Sequence, residues 1–308
     1  MKPISITKLP ISKFETSNSN PNIHSITQEQ WYLELACKEA YKIVSDQLIW
    51  FIPSKNILFI NQAFIPPYIQ RIDPIPLQNN LEIDANTLTF ILSHIKCGLL
   101  SISNKLTYIP NNIHEQIRNN YILPLNQPYD QLYKKFRNGH KLNLKHCDRM
   151  GIEIQNSIDP DSFSSFYNKY CNQSIISKYK NKNLINKLIN QCLMRNYGFI
   201  LNATNKNKEI LAQAFFTKYN NRIVYLISCS TQAGKKDFAM HAILNHVIKT
   251  YSNQNAILDF EGSMIPGIAY FMQGFGSINE PYFVYKWESH FGCKILHFVK
   301  KLIRFKKG

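Results

Sequence analysis

The clearest pattern of hydrophobic and polar positions in this chain runs from Arg222 to Trp287. An apolar, β-branched run, Arg222–Ser230, predicts a strand, and the polar residues Thr231–Asp237 predict a loop that contains glycine and lysine. Apolar residues then recur every three or four positions up to Tyr251, which predicts an amphipathic helix with one buried face.

Three further elements complete this region. The segment Ala256–Glu261 predicts a short strand that ends in a carboxylate cluster. Pro266 and Gly276 mark the start and the end of a second helix, because proline suits the first helical turn and glycine the residue after the last turn. The aromatic run Tyr282–Trp287 predicts a final strand.

The remainder of the chain shows weaker patterns. Helices are predicted at residues 28–45, 84–96, 129–150, 161–170 and 183–196. Strands are predicted at residues 47–52, 56–62, 99–103, 121–125, 151–155, 199–204 and 210–218. Residues 1–26 and the proline-rich stretch 63–78 are predicted to be irregular. The element order therefore roughly repeats, which favours an α/β protein with α+β mixed sheets in both halves.

Length and composition add a domain division and a compartment. At 308 residues the chain exceeds what one core usually serves, so we predict an N-terminal domain at 1–128 and a C-terminal domain at 129–308. No apolar run is long enough to cross a bilayer and no signal-peptide pattern begins the chain, so we expect a cytoplasmic protein. The seven cysteines lack the close Cys/His spacing of a metal site, so no metal is expected.

The net charge of +16 predicts an anionic partner, such as a nucleotide cofactor, a tRNA, a phospho-sugar or a lipid surface. A general compositional bias towards Lys, Asn and Ile is the alternative explanation for part of this charge. The tail His290–Gly308 mixes basic and apolar residues as an amphipathic helix does. It predicts either peripheral contact with the inner face of a membrane or packing of a terminal helix on its domain.

The predicted helix 129–150 carries a cationic stripe, with basic residues three or four positions apart. The stripe consists of Lys134, Arg137, Lys141 and Lys145. Arg137 and Lys141, with Arg149 near the helix end, are candidates for binding a tRNA backbone or another anionic substrate. An ordinary solvated helix face is the alternative.

Residues at the end of the strand Arg222–Ser230 are candidates for binding the phosphates of a donor. A strand that leads through a glycine-containing loop into a helix offers backbone N–H groups and a favourable dipole to an anion. The candidates are Ser230, Gln232, Gly234, Lys235 and Lys236. An exposed turn in a strand–helix crossover, with ordinary surface lysines, is the alternative.

Asp259 and Glu261 are candidate catalytic residues. They occupy alternate positions at a predicted strand end, so both side chains are expected on one face. Two carboxylates there could orient or deprotonate an acceptor amine, with Glu261 the better candidate for the base. Alternatively, one carboxylate caps the next helix together with Ser263, a candidate substrate-binding residue, and the other forms a salt bridge.

Three stretches together resemble GNAT-type acyltransferases, and in particular the FemAB-like group, in which two such folds stand in tandem. The most specific is LDFEGSMIPGIAYFMQGFGS, residues 258–277, followed by PYFVYKW, residues 281–287. Residues 129–155 resemble the basic helix and strand at the FemAB domain junction, and residues 211–236 resemble the central hairpin and cofactor loop.

The resemblance implies an N-acyltransferase in which an amine attacks an acyl-CoA, such as acetyl-CoA, in a cleft between Gly234 and Glu261. It also implies that Tyr285 is a general acid for the leaving group, with Tyr282 as a substrate-binding candidate on the same strand. Aromatic packing is the alternative for both tyrosines.

Two other functions stay open. The loop here has one glycine, where a standard acetyl-CoA loop follows the pattern Q/R-x-x-G-x-G/A. This departure leaves room for aminoacyl-tRNA, which is the donor of Fem-type enzymes, with a cell-wall or lipid-linked precursor as acceptor. A non-catalytic GNAT-fold module that binds nucleic acid or an anionic membrane is the remaining alternative.

Overall fold

A computed structural model describes residues 4–13, 24–57, 59–78, 83–171 and 182–288. The chain divides into two compact units. Unit 1 comprises Met1–Arg118 and Tyr282–Gly308, and unit 2 comprises Asn119–Pro281. The chain thus enters unit 2 after residue 118, whereas the sequence placed the division after residue 128, and it leaves unit 2 again after residue 281.

Unit 1 contains one mixed sheet. Its strands are β1 (Ser5–Pro10), β2 (Glu39–Val44), β3 (Leu48–Ile57), β4 (Ile60–Ala63), β5 (Ile75–Pro76), β6 (Cys97–Ile102), β7 (Ile113–Arg118) and, from the far end of the chain, β15 (Tyr282–Glu288). Its α-helices in the described residues are α1 (Gln30–Ala36) and α2 (Ala85–His94). The strand order is β1-β2-β3-β4-β6-β15-β7, with β5 beside β3.

Unit 2 contains the second mixed sheet. Its strands are β8 (Tyr121–Pro124), β9 (Glu153–Ser157), β10 (Gly198–Thr204), β11 (Ile210–Tyr219), β12 (Arg222–Ser230), β13 (Ile257–Asp259) and β14 (Ile278–Asn279). Its described helices are α3 (Tyr129–Lys134), α4 (Asn138–Met150), α5 (Pro160–Tyr170), α6 (Lys182–Met194), α7 (Gln232–Lys236), α8 (Ala239–Tyr251) and α9 (Pro266–Gln273). The strand order is β14-β8-β13-β12-β11-β10-β9.

Both sheets follow the same path. Four antiparallel strands lead to a parallel pair, β4 with β6 in unit 1 and β12 with β13 in unit 2. A helix connects each parallel pair, α2 in unit 1 and α8 in unit 2. The predicted α/β fold with two similar halves and mixed sheets is therefore confirmed.

The sixth strand on each path comes from the other half of the chain. In unit 1 it is β15, which pairs with β6 and β7, although it follows β14 in sequence. In unit 2 it is β8, which pairs with β13 and β14, although it follows β7. The two units have therefore exchanged equivalent strands, so the final strand predicted from Tyr282 onward does not belong to the sheet of its sequence neighbours.

The core of unit 2 lies between its sheet and the helices α4 and α8. The apolar face predicted for α8 is confirmed, and its fully buried members pack with residues of β10 and β11. These members are Ala239, Ile243, Leu244, Val247 and Ile248. Asp84 caps α2 with its side chain, as the sequence predicts. Thr231 caps α7, where the sequence predicted a loop.

Several sequence expectations were wrong. Residues 5–10 form β1 rather than an irregular segment, because they pair along the whole of β2. Residues 39–44, predicted to be helical, form β2, and β7 was not predicted at all. The predicted helix 129–150 is two helices, interrupted where the Arg137 N–H donates to the Gly274 carbonyl oxygen instead of continuing α3.

Candidate functional site

The two parallel strands of unit 2 pair over only three residues. Arg222, Ile223 and Val224 of β12 lie opposite Ile257, Leu258 and Asp259 of β13. Beyond this point β12 continues to Ser230, whereas β13 ends and the chain turns. We call the space between β12 beyond Val224 and the turn Phe260–Gly262 the fork.

A β-bulge lies at the start of the fork. Phe215 of β11 pairs with Ile227, but Phe216 pairs with Tyr225, so Leu226 is an extra residue in β12. Such a bulge bends its strand and increases the local twist. The bulge lies directly beyond Val224, the last residue of β12 that pairs with β13. The Tyr225 hydroxyl donates to Ser228 Oγ at 2.6 Å on the same arm of the fork, and burial raises the pKa of Tyr225.

The predicted donor loop at the end of β12 is a short helix. Ser230 is half-buried at the strand end, and Gln232, Lys235 and Lys236 of α7 are exposed. The helix contains no acidic residue, and both lysines lie in its last turn. The exposed side chains of α7 therefore present positive charge and an amide to solvent.

Gly234 has a different environment. It is buried, and its N–H donates to Thr231 Oγ1 at 2.9 Å as part of the helix cap. A Cβ at this position would collide with the carbonyl group of Leu211 in β11. The glycine therefore allows α7 to pack closely on the sheet.

Asp259 is the buried partner in an ion pair with Arg222 at the base of the fork. The residue is 1% exposed, and its Oδ2 accepts from Arg222 Nε at 2.7 Å. The other side of the guanidinium contacts Glu280. Burial alone would lower the pKa of Arg222, but the two carboxylates outweigh it and raise that pKa. The alternative reading of Asp259, a salt-bridged carboxylate, is what the geometry shows.

Glu261 lies outside β13, so the expectation that it shares a strand face with Asp259 was wrong. Its backbone is left-handed, with φ 58°, and its N–H donates to Asp259 Oδ1 at 2.8 Å. The alternation of side chains applies only within an extended strand. Asp259 and Glu261 are therefore close in sequence and linked through the backbone, but they occupy different environments.

Ser263 follows this turn and begins an apolar surface. Its hydroxyl accepts from the Ile265 N–H at 3.0 Å within this turn. The residue at the N-cap of α9 is Ile265, without a side-chain cap hydrogen bond, so the predicted alternative of a helix cap by a carboxylate together with Ser263 was wrong. Met264, Ile265 and Ile268 are between 41% and 54% exposed. One arm of the fork thus continues into an exposed apolar turn.

Tyr282 and Tyr285 are both buried in β15, in the sheet of unit 1. The Tyr285 hydroxyl donates to Glu115 Oε2 at 3.0 Å and accepts from the Leu106 N–H at 2.9 Å. Burial raises the pKa of Tyr285. The strand exchange removes both tyrosines from the sheet that carries the fork, which the order of the sequence could not reveal.

The predicted cationic stripe is divided between α3 and α4. Arg137 donates to the Tyr270 carbonyl oxygen and to Gln273 Oε1, and its guanidinium lies 4.1 Å from the Tyr270 ring centroid. Lys141 Nζ donates to the Lys134 carbonyl oxygen at 3.0 Å. Arg149 is exposed near the end of α4. Arg137 and Lys141 therefore have structural contacts within unit 2.

A pair of buried histidines in edge-to-face contact was not recognised in the sequence. His140 of α4 and His241 of α8 have ring centroids 4.7 Å apart and are both buried. His140 Nε2 donates to the Phe271 carbonyl oxygen, and Asn143 Nδ2 donates to His241 Nε2. Burial, and then the neighbouring His140, lower the pKa of His241 to about 3. His140 and His241 lie on the apolar stripes of their helices, the one signal available beforehand.

No group of three or more His, Cys, Asp or Glu side chains in the described part of the chain is arranged to hold a metal ion. No helix within the described ranges has the length and hydropathy to span a membrane. The tail proposed for membrane contact, 290–308, lies outside the described residues.

Comparison with known proteins identifies the fold through structure. No protein-family model and no curated protein sequence matches the chain. FemX aligns with a TM-score of 0.58 at 10% identity, over 80% of this chain and 87% of FemX. A tandem GNAT protein from the clavulanic acid biosynthesis pathway aligns with a TM-score of 0.50 at 10% identity, over 92% and 98% of the two chains.

A third solved structure, L-PGS from Bacillus licheniformis, aligns with a TM-score of 0.50 at 10% identity, over 83% of this chain and 86% of L-PGS. At such identities the similarity concerns the fold alone. The fold predicted from the resemblance, FemAB-like and GNAT-type, is confirmed by these alignments.

Proposed function

We propose that this chain, which has the FemAB-like, GNAT-type fold, is an N-acyltransferase that binds an acyl-CoA donor in the fork of unit 2. The observation that carries the proposal is the end of pairing between β12 and β13 at Val224 and Asp259, with a bulge in β12 directly beyond it. The edge of β12 that β13 no longer covers suits an extended ligand, a recurrent way of binding by backbone hydrogen bonds.

The end of β12 carries the polar and cationic side chains that such a donor needs. At the end of β12, Gln232, Lys235 and Lys236 are exposed around the start and end of α7, which suits phosphate groups. The nearest acid, Asp237, is paired with His146 at 3.0 Å. These residues therefore fit an anionic donor, whereas Gly234 serves packing.

In the proposed reaction the donor supplies a thioester. The amine nitrogen of the acceptor attacks the carbonyl carbon, a C–N bond forms, and the C–S bond breaks with its electron pair going to sulfur. The Glu261 carboxylate takes the proton that the amine loses. Most of the rate acceleration in such a reaction comes from holding the amine against the carbonyl carbon, so the chain needs few chemical groups.

Aminoacyl-tRNA is the alternative donor, because Lys134, Lys145 and Arg149 are exposed cations on neighbouring helices of unit 2. An amine-bearing acceptor is common to both versions of the proposal. A non-catalytic module that binds nucleic acid or an anionic membrane would use the same positive charge without turnover.

The test is thermal unfolding of the protein with CoA, acetyl-CoA, longer acyl-CoAs and bulk tRNA. A ligand at about 100 times its Kd stabilises the folded state by roughly 2.7 kcal/mol, which shifts the midpoint measurably. A rise with acyl-CoA that Lys235→Glu weakens supports the proposal. A rise with tRNA alone, lost steeply as salt increases, would transfer it to the alternative donor.

Turnover is tested separately with acetyl-CoA and a panel of small primary amines, by measuring release of the free thiol. The Glu261→Gln variant is expected to lose most of the rate, because a carboxamide cannot accept the proton. Full activity in Glu261→Gln would show that another group or water is the base.

A further inference from the structure

We infer that Asn120 is a positioning residue that holds the Glu261 turn, and with it the proposed base, in the fork. This inference rests on the proposed function for the catalytic role of Glu261. Its first part, the hold of Asn120 on the turn, rests on geometry alone. Asn120 is completely buried and lies at the start of unit 2, next to the residue where the chain enters it.

The turn has a conformation that needs support. Glu261 is a non-glycine residue with φ 58°, in the left-handed region. Residues with a side chain adopt this region only at a cost in free energy, and such residues cluster at functional sites. The next residue, Gly262, packs so closely on the backbone that a Cβ would collide with the Asn119 carbonyl oxygen.

Three consecutive N–H groups fix the turn, two of them by hydrogen bonds to strand β8 and its flank and one by a bond to β13. The Phe260 N–H donates to the Tyr121 carbonyl oxygen at 2.9 Å. The Glu261 N–H donates to Asp259 Oδ1 at 2.8 Å, and the Gly262 N–H donates to Asn120 Oδ1 at 2.8 Å. Two of these acceptors are side chains, so substitution can remove them without altering the backbone.

Asn120 is itself oriented by a charged neighbour. Its side-chain Nδ2 donates to Glu280 Oε2 at 3.3 Å, and its main-chain carbonyl oxygen accepts from the Glu280 N–H at 2.8 Å. Glu280 and Asp259 both contact the Arg222 guanidinium. A carboxamide is therefore required at residue 120, because one end meets an N–H donor and the other meets a carboxylate.

This network connects the fork to the strand exchange. Asn120 immediately precedes β8, the exchanged strand of unit 2, and Glu280 immediately precedes the point where the chain leaves the unit. The position of Glu261 consequently depends on β8 being seated against β13.

The experiment compares Asn120→Ala with the matched control Asn119→Ala in the full chain. Asn119 is adjacent, but its side-chain oxygen accepts from Asn279 Nδ2 at the exposed surface. Amide hydrogen exchange over residues 260–263 is measured first. We expect Asn120→Ala to raise it roughly tenfold, the effect of losing one hydrogen bond of ordinary strength, and Asn119→Ala to leave it unchanged.

Steady-state transfer from acetyl-CoA to the best small amine is measured next. Asn120→Ala is expected to lower kcat about tenfold to hundredfold with KM for acetyl-CoA unchanged, because the base is displaced while the donor site is intact. Asn120→Asp should be worse than Asn120→Ala, since it sets a carboxylate oxygen against Glu280. The double variant Asn120→Asp/Glu280→Gln should recover activity relative to Asn120→Asp.

The outcomes separate this inference from the proposed function. Unchanged exchange and unchanged kcat in Asn120→Ala, while Glu261→Gln is inactive, would overturn the positioning role and leave the function standing. An equal effect of Asn119→Ala would overturn it too. If acetyl-CoA is not turned over at all, the proposed function fails. If Glu261→Gln is fully active, Glu261 is not the base, and the catalytic half of this inference fails while the function stands. In both cases the exchange result alone decides whether Asn120 holds the turn.

Discussion

The parallel strand pairs of the two units differ in what lies beside them. In unit 1, β4 pairs with β6 over two residues. A segment that lies between these two strands in sequence, Gln70–Asp73, runs beside β6. The Ile72 N–H donates to the Ser101 carbonyl oxygen at 2.7 Å, and Ser101 Oγ donates to the Gln70 carbonyl oxygen at 2.6 Å. In unit 2, the segment that follows β12 forms the short helix α7 instead.

The segment Gln70–Asp73 of unit 1 is firmly held. Asp73 accepts from the Ser103 N–H and hydroxyl at 2.6 and 2.7 Å, and the buried Trp50 indole donates to the Ile72 carbonyl oxygen at 2.7 Å. The proline-rich stretch 63–78, predicted to be a loop, thus packs beside the parallel pair. The same strand order is therefore accompanied by a fork in unit 2 and by a packed segment in unit 1. For this reason we expect one donor site per chain, in unit 2.

The largest expected effect concerns the independence of the units. The fragment 119–281 contains β8, whose Tyr121, Leu123 and neighbouring Leu125 belong to the core of unit 2. It should unfold cooperatively on heating, as followed by circular dichroism. The fragment 129–281 begins at the domain boundary predicted from the sequence and lacks β8, so it should show no cooperative transition. Equal behaviour of the two fragments would contradict the strand exchange.

The next effect concerns Gly234 in α7, the short helix that follows β12. Gly234→Ala should lower the free energy of unfolding by about 3 kcal/mol, because its Cβ would press on the Leu211 backbone. Gly267→Ala is the matched control, since a Cβ there meets nothing within 4 Å, and alanine favours the helix by up to about 1 kcal/mol. Chemical denaturation measures both. A harmless Gly234→Ala would return this glycine to the candidates for donor binding.

Acid should affect unit 2 more than unit 1. Unit 2 buries His140 and His241, whereas His24, His94 and His114 of unit 1 are exposed. The folded-state pKa of His241 lies at about 3, so at pH 5 the unfolded chain binds a proton there and the folded chain does not. Stability therefore falls as pH decreases below about 6.5, by roughly 2 kcal/mol between pH 7.5 and 5.0.

The fragment 119–281, or the full chain, is denatured by urea at several pH values to measure this slope. His241→Phe should flatten the dependence, and His94→Phe, an exposed control, should leave it unchanged. A wild-type slope that survives His241→Phe would show that other groups bind the protons.

The smallest effect concerns the segment that fills unit 1. Asp73→Ala removes the acceptor of two hydrogen bonds from Ser103, which should cost about 1–2 kcal/mol of unfolding free energy. It should not change donor binding, because the fork lies in unit 2. Denaturation and titration with acetyl-CoA check the two statements. Altered stoichiometry in Asp73→Ala would mean that unit 1 takes part in binding.

The elements of unit 2 were largely predictable because their periodicity is local. The hairpin of β10 and β11, the strand β12 and the buried face of α8 all follow from residues close in sequence. The cap of α2 by Asp84 is equally local. In contrast, β1 has mixed composition and is a strand because β2 pairs with it.

The site was predictable only in part. The sequence pointed to the carboxylates and lysines around the fork as candidates. The positive φ of Glu261, in contrast, depends on Asn120, whose Oδ1 accepts from the N–H of Gly262, 142 positions away. The exchange of β8 and β15 is likewise a choice between equivalent pairings. No local pattern distinguishes these pairings, so Tyr282 and Tyr285 were assigned to the wrong sheet.

Isothermal titration of the full-length protein with acetyl-CoA tests the central claim most directly. The account predicts one site per chain, weakened by Lys235→Glu and Lys236→Glu and unaffected by the Asp73→Ala change in unit 1. Two sites per chain, or an affinity that neither Lys235→Glu nor Lys236→Glu weakens, would contradict the assignment of the donor to the fork of unit 2.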